Sequence, residues 1–386
     1  MPSELRVDKI SSTTSPYDPV FSTTGGALSH RNMIINGGMQ VFQRATSAVA
    51  AGNPTYDTVD RFRFRENTDG AYTSQKYNMS LAEINTTGHA TALQLNCTTA
   101  DTSIASGQYA YIATTVEAQN CQHLQYGTAN AKTLTLSFWV KSNKTGTYTV
   151  NVRKQDTTQY IVPIEYTIST ADTWEKKTIN ISPTAGSTSL ITSSAGVITN
   201  DNGEGLQIGW SLIWGSDYHA TNNTWSSGNS YSTSNQVNWM DSTSNNFYLT
   251  GVQLELGSVA TPFEHRSYAD ELRMCQRYYY KPENTTNAYL GKGHMRETTV
   301  CHLLIPHPVT MRTANITLNT DYGSQHFYAI ETSSTNSYIN GNWAVSLNGE
   351  NATCVDAVTA TALALRAPVD VKLSAAGAYI ALNAEL

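Results

Sequence analysis

The sequence predicts an all-β chain: an antiparallel β-sandwich with an N-terminal extended arm, one short helix and a second, smaller C-terminal β-domain. Three observations carry the prediction. Apolar and polar residues alternate at period two through much of the chain, as where Leu134, Leu136, Phe138 and Val140 interleave with Thr133, Thr135, Ser137 and Trp139. Polar, Gly-containing turns separate these runs, with no helical periodicity between them, which excludes a parallel α/β fold. Charged residues are only 14% of the 386, against roughly 25% in ordinary globular chains. Ser, Thr, Asn, Gly and 22 Tyr take their place, and Thr and Tyr suit exposed strand positions. With 7 Trp among the apolar runs, the chain has enough core material to fold rather than stay disordered.

Residues 1–34 read as an arm. Pro2, Pro16, Pro19, the Ser11–Ser15 hydroxyl run and Gly25-Gly26 oppose a local core. Leu5, Val7, Ile10, Tyr17 and Phe21 nevertheless supply apolar anchors, so the arm is expected to dock on a partner by strand addition or side-chain insertion; the plainer alternative is a frayed terminus.

Residues 35–266 are assigned to the sandwich. In Arg61-Phe62-Arg63-Phe64-Arg65 the phenylalanines take one face and the arginines the other. The turn Asn143-Lys144-Thr145-Gly146 leads into Tyr148, Val150 and Val152, a hairpin. Leu206, Ile208, Trp210, Leu212 and Trp214 all sit at even positions, predicting one apolar face and both tryptophans in the core. Tyr248, Val252, Leu254 and Leu256 extend the pattern.

A helical joint is expected over 267–282. Ser267 with Asp270 resembles a capping box, Tyr268, Leu272, Cys275 and Tyr279 share a helical face, and Lys281-Pro282 stops it. That face either packs within the chain or meets symmetry mates. Residues 283–386 return to period two in Val300–Ile305, Ala314–Asn319 and Leu363–Ala367, ending with Ile380, Leu382, Ala384 and Leu386 on one face. No fixed-period repeat is present, which argues against a β-helix.

Net charge is −6, so no basic surface for nucleic acid is implied. No apolar run approaches the roughly 20 residues that cross a bilayer, so no membrane insertion is expected. The N-terminal decapeptide lacks a signal-peptide core, predicting assembly in the cytoplasm. The five cysteines are scattered without a CxxC pair and read as free thiols.

Several segments resemble a family of β-sandwich domains in tailed-bacteriophage tail-fibre and related virion appendage proteins. They are Asn32-Met33-Ile34-Ile35-Asn36-Gly37-Gly38-Met39-Gln40-Val41-Phe42-Gln43-Arg44, with Tyr56, Asp60, Arg61 and Phe62 after it; Trp225–Asn229; Val237–Ser242; Leu249–Gly257; Ala260–Ser267; and Cys275–Tyr279. Together they bracket residues 32–280. The arm segment Ser3–Ile10 also looks like the start of structural proteins from marine phages. The resemblance implies a jelly-roll sandwich similar to carbohydrate-binding modules, a homotrimer, and residence in the virion.

Enzymatic chemistry is not expected. Glycoside hydrolysis needs two carboxylates flanking one bond, and the pairs Asp57/Asp60, Asp201/Glu204 and Glu255/Glu264 suit turns and solvated surfaces better. There is no G-x-S-x-G elbow. His294, His302 and His307 match no standard metal spacing, and Gly25-Gly26 and Gly37-Gly38 lack a phosphate-loop context, so no metal or cofactor is called for. Sugars dock on flat rings beside amides and carboxylates. The loop from Asp217 and Tyr218 through Trp225 to Tyr231 has that composition and is the candidate glycan contact, although Trp225 lies inside a family motif that favours a structural role. The expected function is attachment: the arm holds a fibre or spike to other virion proteins, and the distal domains bind host-surface polysaccharide or protein. The alternative is a capsid or tail decoration or cement protein that stabilises the particle without a receptor.

Overall fold

The computed structural model describes residues 30–52, 54–282, 288–321, 327–331, 336–339, 343–373, 375 and 378–386. The arm anchors Leu5, Val7, Ile10, Tyr17 and Phe21 lie outside them. The first twelve strands are β1 (Val49–Ala50), β2 (Phe62–Asn67), β3 (Ala71–Asn78), β4 (Thr91–Thr99), β5 (Tyr109–Glu117), β6 (Leu134–Ser142), β7 (Gly146–Lys154), β8 (Tyr160–Ile168), β9 (Glu175–Ile181), β10 (Glu204–Trp214), β11 (Ser226–Ser227) and β12 (Asn246–Leu256). They form two six-stranded antiparallel sheets, ordered β1-β3-β4-β12-β6-β9 and β11-β8-β7-β10-β5-β2.

The alternation explains how the sheets face each other. Phe62 and Phe64 point inward while Arg63 and Arg65 point out, and Leu134, Leu136, Phe138 and Val140 oppose Tyr148, Val150 and Val152 across the core. Trp210, fully buried, touches Phe62 in its own sheet and meets Phe138 of the facing sheet edge-on at 5.8 Å. Burying each such side chain contributes about 1.5–3 kcal/mol.

Two bulges break the predicted phase. Between Ser211 and Ile213 the β10–β5 register shifts, so Leu212 and Ile213 both reach the core and Trp214 turns to the outer face. Between Thr250 and Gln253 the β12–β6 register shifts likewise, around Gly251 at φ +60°. Phe247 and Leu249 therefore face inward before it, Val252 and Leu254 after it, and Tyr248 lies on the outside. An extra residue reverses every later side chain, because strand faces alternate at period two.

A helix absent from the sequence reading, α1 (Leu81–Thr87), joins β3 to β4. Ser80 and Glu83 cap it reciprocally, and Gly88 ends it in the left-handed region at φ +78°. The predicted helix is α2 (Tyr268–Gln276), with the Ser267 side chain accepting from the Asp270 amide. It stops before Tyr279, and its inward face is Glu271 and Cys275, while Tyr268 is exposed.

After α2, β13 (Tyr279–Tyr280) already pairs into the C-terminal region. The later strands are β14 (Tyr289–Glu297), β15 (Val300–Pro306), β16 (Thr317–Asp321), β17 (Phe327–Glu331), β18 (Asn336–Ile339), β19 (Ala344–Asn348), β20 (Ala352–Val358), β21 (Pro368–Leu373) and β22 (Tyr379–Asn383). Among the described residues they form a sheet ordered β18-β17-β21-β14-β15-β20-β19 and a smaller one ordered β13-β22-β16. These enclose a second core that includes Leu303, Phe327, Val355, Val371, Ile380 and Leu382. Leu363–Ala367, expected as a strand, is a turn: Arg366 sits at φ +63° and the Ala367 amide donates to the Ala364 carbonyl at 3.0 Å.

Candidate functional site

The bulge in β10 builds the surface of greatest chemical interest. Trp214, turned outward, donates its indole N–H to Ser211 Oγ at 2.8 Å. Register places Tyr109 opposite it on β5 and Tyr111 opposite Ser211. The Trp214 ring stacks on Tyr231 at 4.5 Å and 9° and on Tyr111 at 4.9 Å and 26°, with Tyr218 at 4.8 Å and Tyr109 at 5.3 Å. Tyr111, Trp214 and Tyr231 are buried in this group, whereas Tyr109 and Tyr218 present partly exposed edges.

Local hydrogen bonds hold the loop that carries Tyr218 and Tyr231. The Gly215 amide donates to the Gln108 carbonyl at 2.8 Å, and the Tyr231 amide donates to the Tyr218 carbonyl at 3.0 Å. Gly215 has to be glycine, since a Cβ there would lie 2.1 Å from the Ala105 carbonyl oxygen. Asp217, exposed at the rim, accepts from Ser106 Oγ at 3.0 Å. A polar cleft of about 420 Å³ adjoins the same loop, lined among others by Glu165, His219, Asn222, Thr233 and Asn235.

Of the four predicted contacts, Asp217, Tyr218 and Tyr231 come together here. Trp225 does not: it is 1% exposed in the main core, its indole N–H on the Ser182 carbonyl at 2.8 Å. Tyr109, Tyr111 and Trp214 were missed, because only cross-strand register brings them to the loop.

Beside the rings lies a charged cluster. Arg63 and Arg65 project from β2, the edge of the second sheet, and Arg153 from β7. Arg65 Nη1 donates to the Tyr111 hydroxyl at 3.4 Å, and Arg153 Nη1 donates to the Tyr231 hydroxyl at 3.5 Å. Glu204 pairs with Arg153 and lies 3.9 Å from Arg63, whose Nη1 also donates to the Leu386 main-chain oxygen at 3.1 Å. With its amide turned so that the oxygen faces the guanidiniums, Gln207 accepts from both Arg153 and Arg63. Burial raises the Tyr111 phenol, and the guanidiniums of Arg65, Arg63 and Arg153 oppose that rise.

A second aromatic group, on the outer face of the first sheet, is filled by the protein itself. Lys141 Nζ lies 4.3 Å from the Tyr248 ring centroid and near Tyr77 and Trp174. It donates to Glu83 at 2.7 Å, and the same carboxylate accepts from Trp174 Nε1, Tyr77 and Ser80. Burial would raise the Glu83 carboxyl, but the Lys141, Ser80 and Trp174 hydrogen bonds together hold it down to about 2. A depressed carboxyl stabilises the fold fully above its unfolded value near 4.5 and loses that contribution as the pH falls toward 2. Thermal melts between pH 5 and about 2.5 should thus fall more steeply for the wild type than for Glu83→Gln. Parallel curves would remove Glu83 from the acid response.

The remaining candidates are engaged structurally. Asp60 pairs with Arg44, Asp201 accepts from Thr199 and Gly203, and Glu255 accepts from Thr261. His302 Nδ1 contacts Asp356 at 2.6 Å, and His307 lies between the Glu350 carbonyl and Thr353. Among the described residues, no group of three or more His, Cys, Asp or Glu is placed to hold a metal ion.

No family model matches the sequence. No curated protein matches it either. Among solved structures it is similar to the enzymatically active domain of tailspike protein 4 from bacteriophage CBA120, at 13% identity and TM-score 0.28, covering 58% of this chain and 21% of that one. It is also similar to a putative sugar binding protein from Bacteroides thetaiotaomicron, at 10% identity and TM-score 0.30 over 59% of this chain and 100% of that one. A family 11 carbohydrate-binding module from Clostridium thermocellum, in complex with a mixed-linked tetrasaccharide, gives 10% identity and TM-score 0.26 over 56% and 99%. Overlaps this low assign no function to the chain.

Proposed function

We propose that this chain is a non-enzymatic structural protein of a tailed-phage particle, a trimeric fibre or spike subunit whose sandwich binds carbohydrate on the host surface. The observation that carries the reading is the stack of Tyr109, Tyr111, Trp214, Tyr218 and Tyr231, with the edges of Tyr109 and Tyr218 partly open to solvent beside Asp217 and the polar cleft. Flat apolar rings beside amides and carboxylates are the surface a pyranose needs: its C–H face packs on the ring and its hydroxyls meet the polar rim. The buried rings fix the position of the exposed ones, so less ordering entropy opposes binding. Three copies on one fibre would convert weak individual contacts into firm attachment through effective concentration. The motifs across residues 32–280 that resemble tail-fibre sandwiches support the virion assignment.

The test is adsorption competition. Purified protein added to host cells before live phage should slow adsorption with dose, and the double variant Tyr109→Ala/Tyr218→Ala should compete at least about tenfold less well, as loss of two ring contacts implies. Circular dichroism must show that variant folded. If saturating wild-type protein neither binds cells nor slows adsorption, the attachment reading fails and a decoration or cement role replaces it.

A further inference from the structure

We infer that the saccharide taken by this surface is acidic, its carboxylate received by the cluster of Arg63, Arg65 and Arg153; the inference rests on the carbohydrate-binding reading above. The charge balance is the first ground. Arg65 donates to the Tyr111 hydroxyl and Arg153 to the Tyr231 hydroxyl, Arg63 donates to the Leu386 main-chain oxygen, and among the described residues Glu204 is the side-chain carboxylate that pairs with these guanidiniums. Arg65 has no carboxylate partner among the described residues. The side chains of Arg63 and Arg153 are only 12% and 10% exposed, so water screens this excess poorly.

Two other buried arginines have a carboxylate each. Arg44 and Arg61, where the sandwich meets the C-terminal domain, are matched by Asp60 and Glu385. A net −6 chain that leaves an arginine excess on one sheet face has a local field that attracts anions.

Unmet hydrogen bonding is the second ground. The Nε atoms of Arg63, Arg65 and Arg153 are buried without a partner. Asn151, completely buried on the same face two residues before Arg153, has neither amide atom bonded. It leans over Gly209 so closely that a Cβ there would lie 2.6 Å from its Oδ1. Most buried polar groups in folded proteins are paired, and here the exceptions gather on one sheet face, where water, an ion or a ligand group has to supply the partner. The planar guanidinium fork suits a carboxylate, which it can hold by two parallel N–H···O bonds. The rings next to this cluster would carry the sugar while the arginines take its acid group.

The experiment measures binding of the full chain to polygalacturonate and alginate, each native and carboxyl-reduced, within a panel of neutral polysaccharides. Native acidic polymer should bind at least about tenfold more tightly than its reduced form, and binding should weaken toward about 0.5 M salt. Arg65→Gln, at a partly exposed position on the edge strand, should weaken the acidic interaction about tenfold and leave neutral binding unchanged; Arg65→Lys should recover part of the loss. Equal binding of native and reduced polymers, with Arg65→Gln like the wild type, would overturn the acidic preference and leave carbohydrate binding standing. Binding to no member of the panel, acidic or neutral, would sink the carbohydrate reading and this inference with it.

Discussion

Gly37→Ala should cost the sandwich several kcal/mol and lower its midpoint of urea unfolding sharply, whereas Gly38→Ala, one residue on, should change it little. A Cβ at Gly37 would lie 2.0 Å from the Val252 carbonyl oxygen, a backbone atom that cannot step aside. At Gly38 the nearest atom is the end of the Gln40 side chain, 3.3 Å away and free to move. The contact at Gly37 is tight because the chain from Asn32 to Val41 is laid against β12 exactly where that strand bulges. Met33 donates its amide to the Leu254 carbonyl, Val252 donates its own to the Gly37 carbonyl at 2.9 Å, and Asn32 Nδ2 donates to the Val252 carbonyl at 3.0 Å. Asn36, held at φ +60° and wholly buried, donates to Val41 and Asp60 carbonyls and accepts from the Gln40 and Val41 amides. Displacing Gly37 would break several of these bonds in the interior, and each buried group left unpaired costs about 1–3 kcal/mol. Equal midpoints for the two alanine variants would show that the segment tolerates displacement and does not brace the bulge.

The same bulge shows what the sequence could and could not disclose. Alternation identified the strands, the inward phenylalanines of β2 and the all-β sandwich, because period two is a local property of side-chain direction. The hairpin expected at Asn143–Gly146 is instead a crossover: β6 lies in the first sheet and β7 in the second, and turn residues alone do not say which sheet the next strand joins. Alternation failed where one extra residue changed the phase: a regular count carried Trp214 into the core and Tyr248 onto the inner face. The Leu212-Ile213 doublet and Gly251 were the available signals, since two adjacent apolar residues or a lone glycine in a strand often mark a bulge. The helix α1 was also legible, in Ser80-Leu81-Ala82-Glu83, but it is too short to show a periodic face. The candidate site was half visible. Asp217, Tyr218 and Tyr231 share one loop and could be read together; Tyr111, Trp214, Arg65 and Arg153 belong to different strands, and only pairing register unites them. Trp225 has the right chemistry for a sugar contact, but its composition says nothing about which way the chain turns it.

Glu117→Ala should uncouple the two halves of the protein, turning one cooperative melt into two and opening the junction to protease. Glu117 ends β5 with its side chain fully enclosed. It accepts from Arg277 Nε at 2.9 Å and Nη2 at 3.0 Å, and from the Tyr278 hydroxyl. Burial alone would raise its carboxyl, but the Arg277 and Tyr278 hydrogen bonds hold it below the usual carboxylate range. Arg277 reaches onward to the Thr310 carbonyl at 3.2 Å, so one guanidinium ties the sandwich to the C-terminal domain. The neighbouring contacts interlock with it: Arg61 lies 3.4 Å from the Tyr278 ring centroid and pairs with Glu385, while Arg44 lies 3.7 Å from that of Tyr279 and pairs with Asp60 and Glu385. Removing Glu117 breaks its charge-assisted hydrogen bonds and leaves the buried Tyr278 hydroxyl without its acceptor, a loss of about 1.5–3 kcal/mol, while Arg277, 29% exposed, can still turn to water. The cost falls on the junction, because Arg277 and Tyr278 are the groups that lose their partner. Differential scanning calorimetry with limited proteolysis reads the outcome directly. A variant that still melts once, near the wild-type temperature, would mean that the surrounding arginine and tyrosine contacts hold the domains together without Glu117.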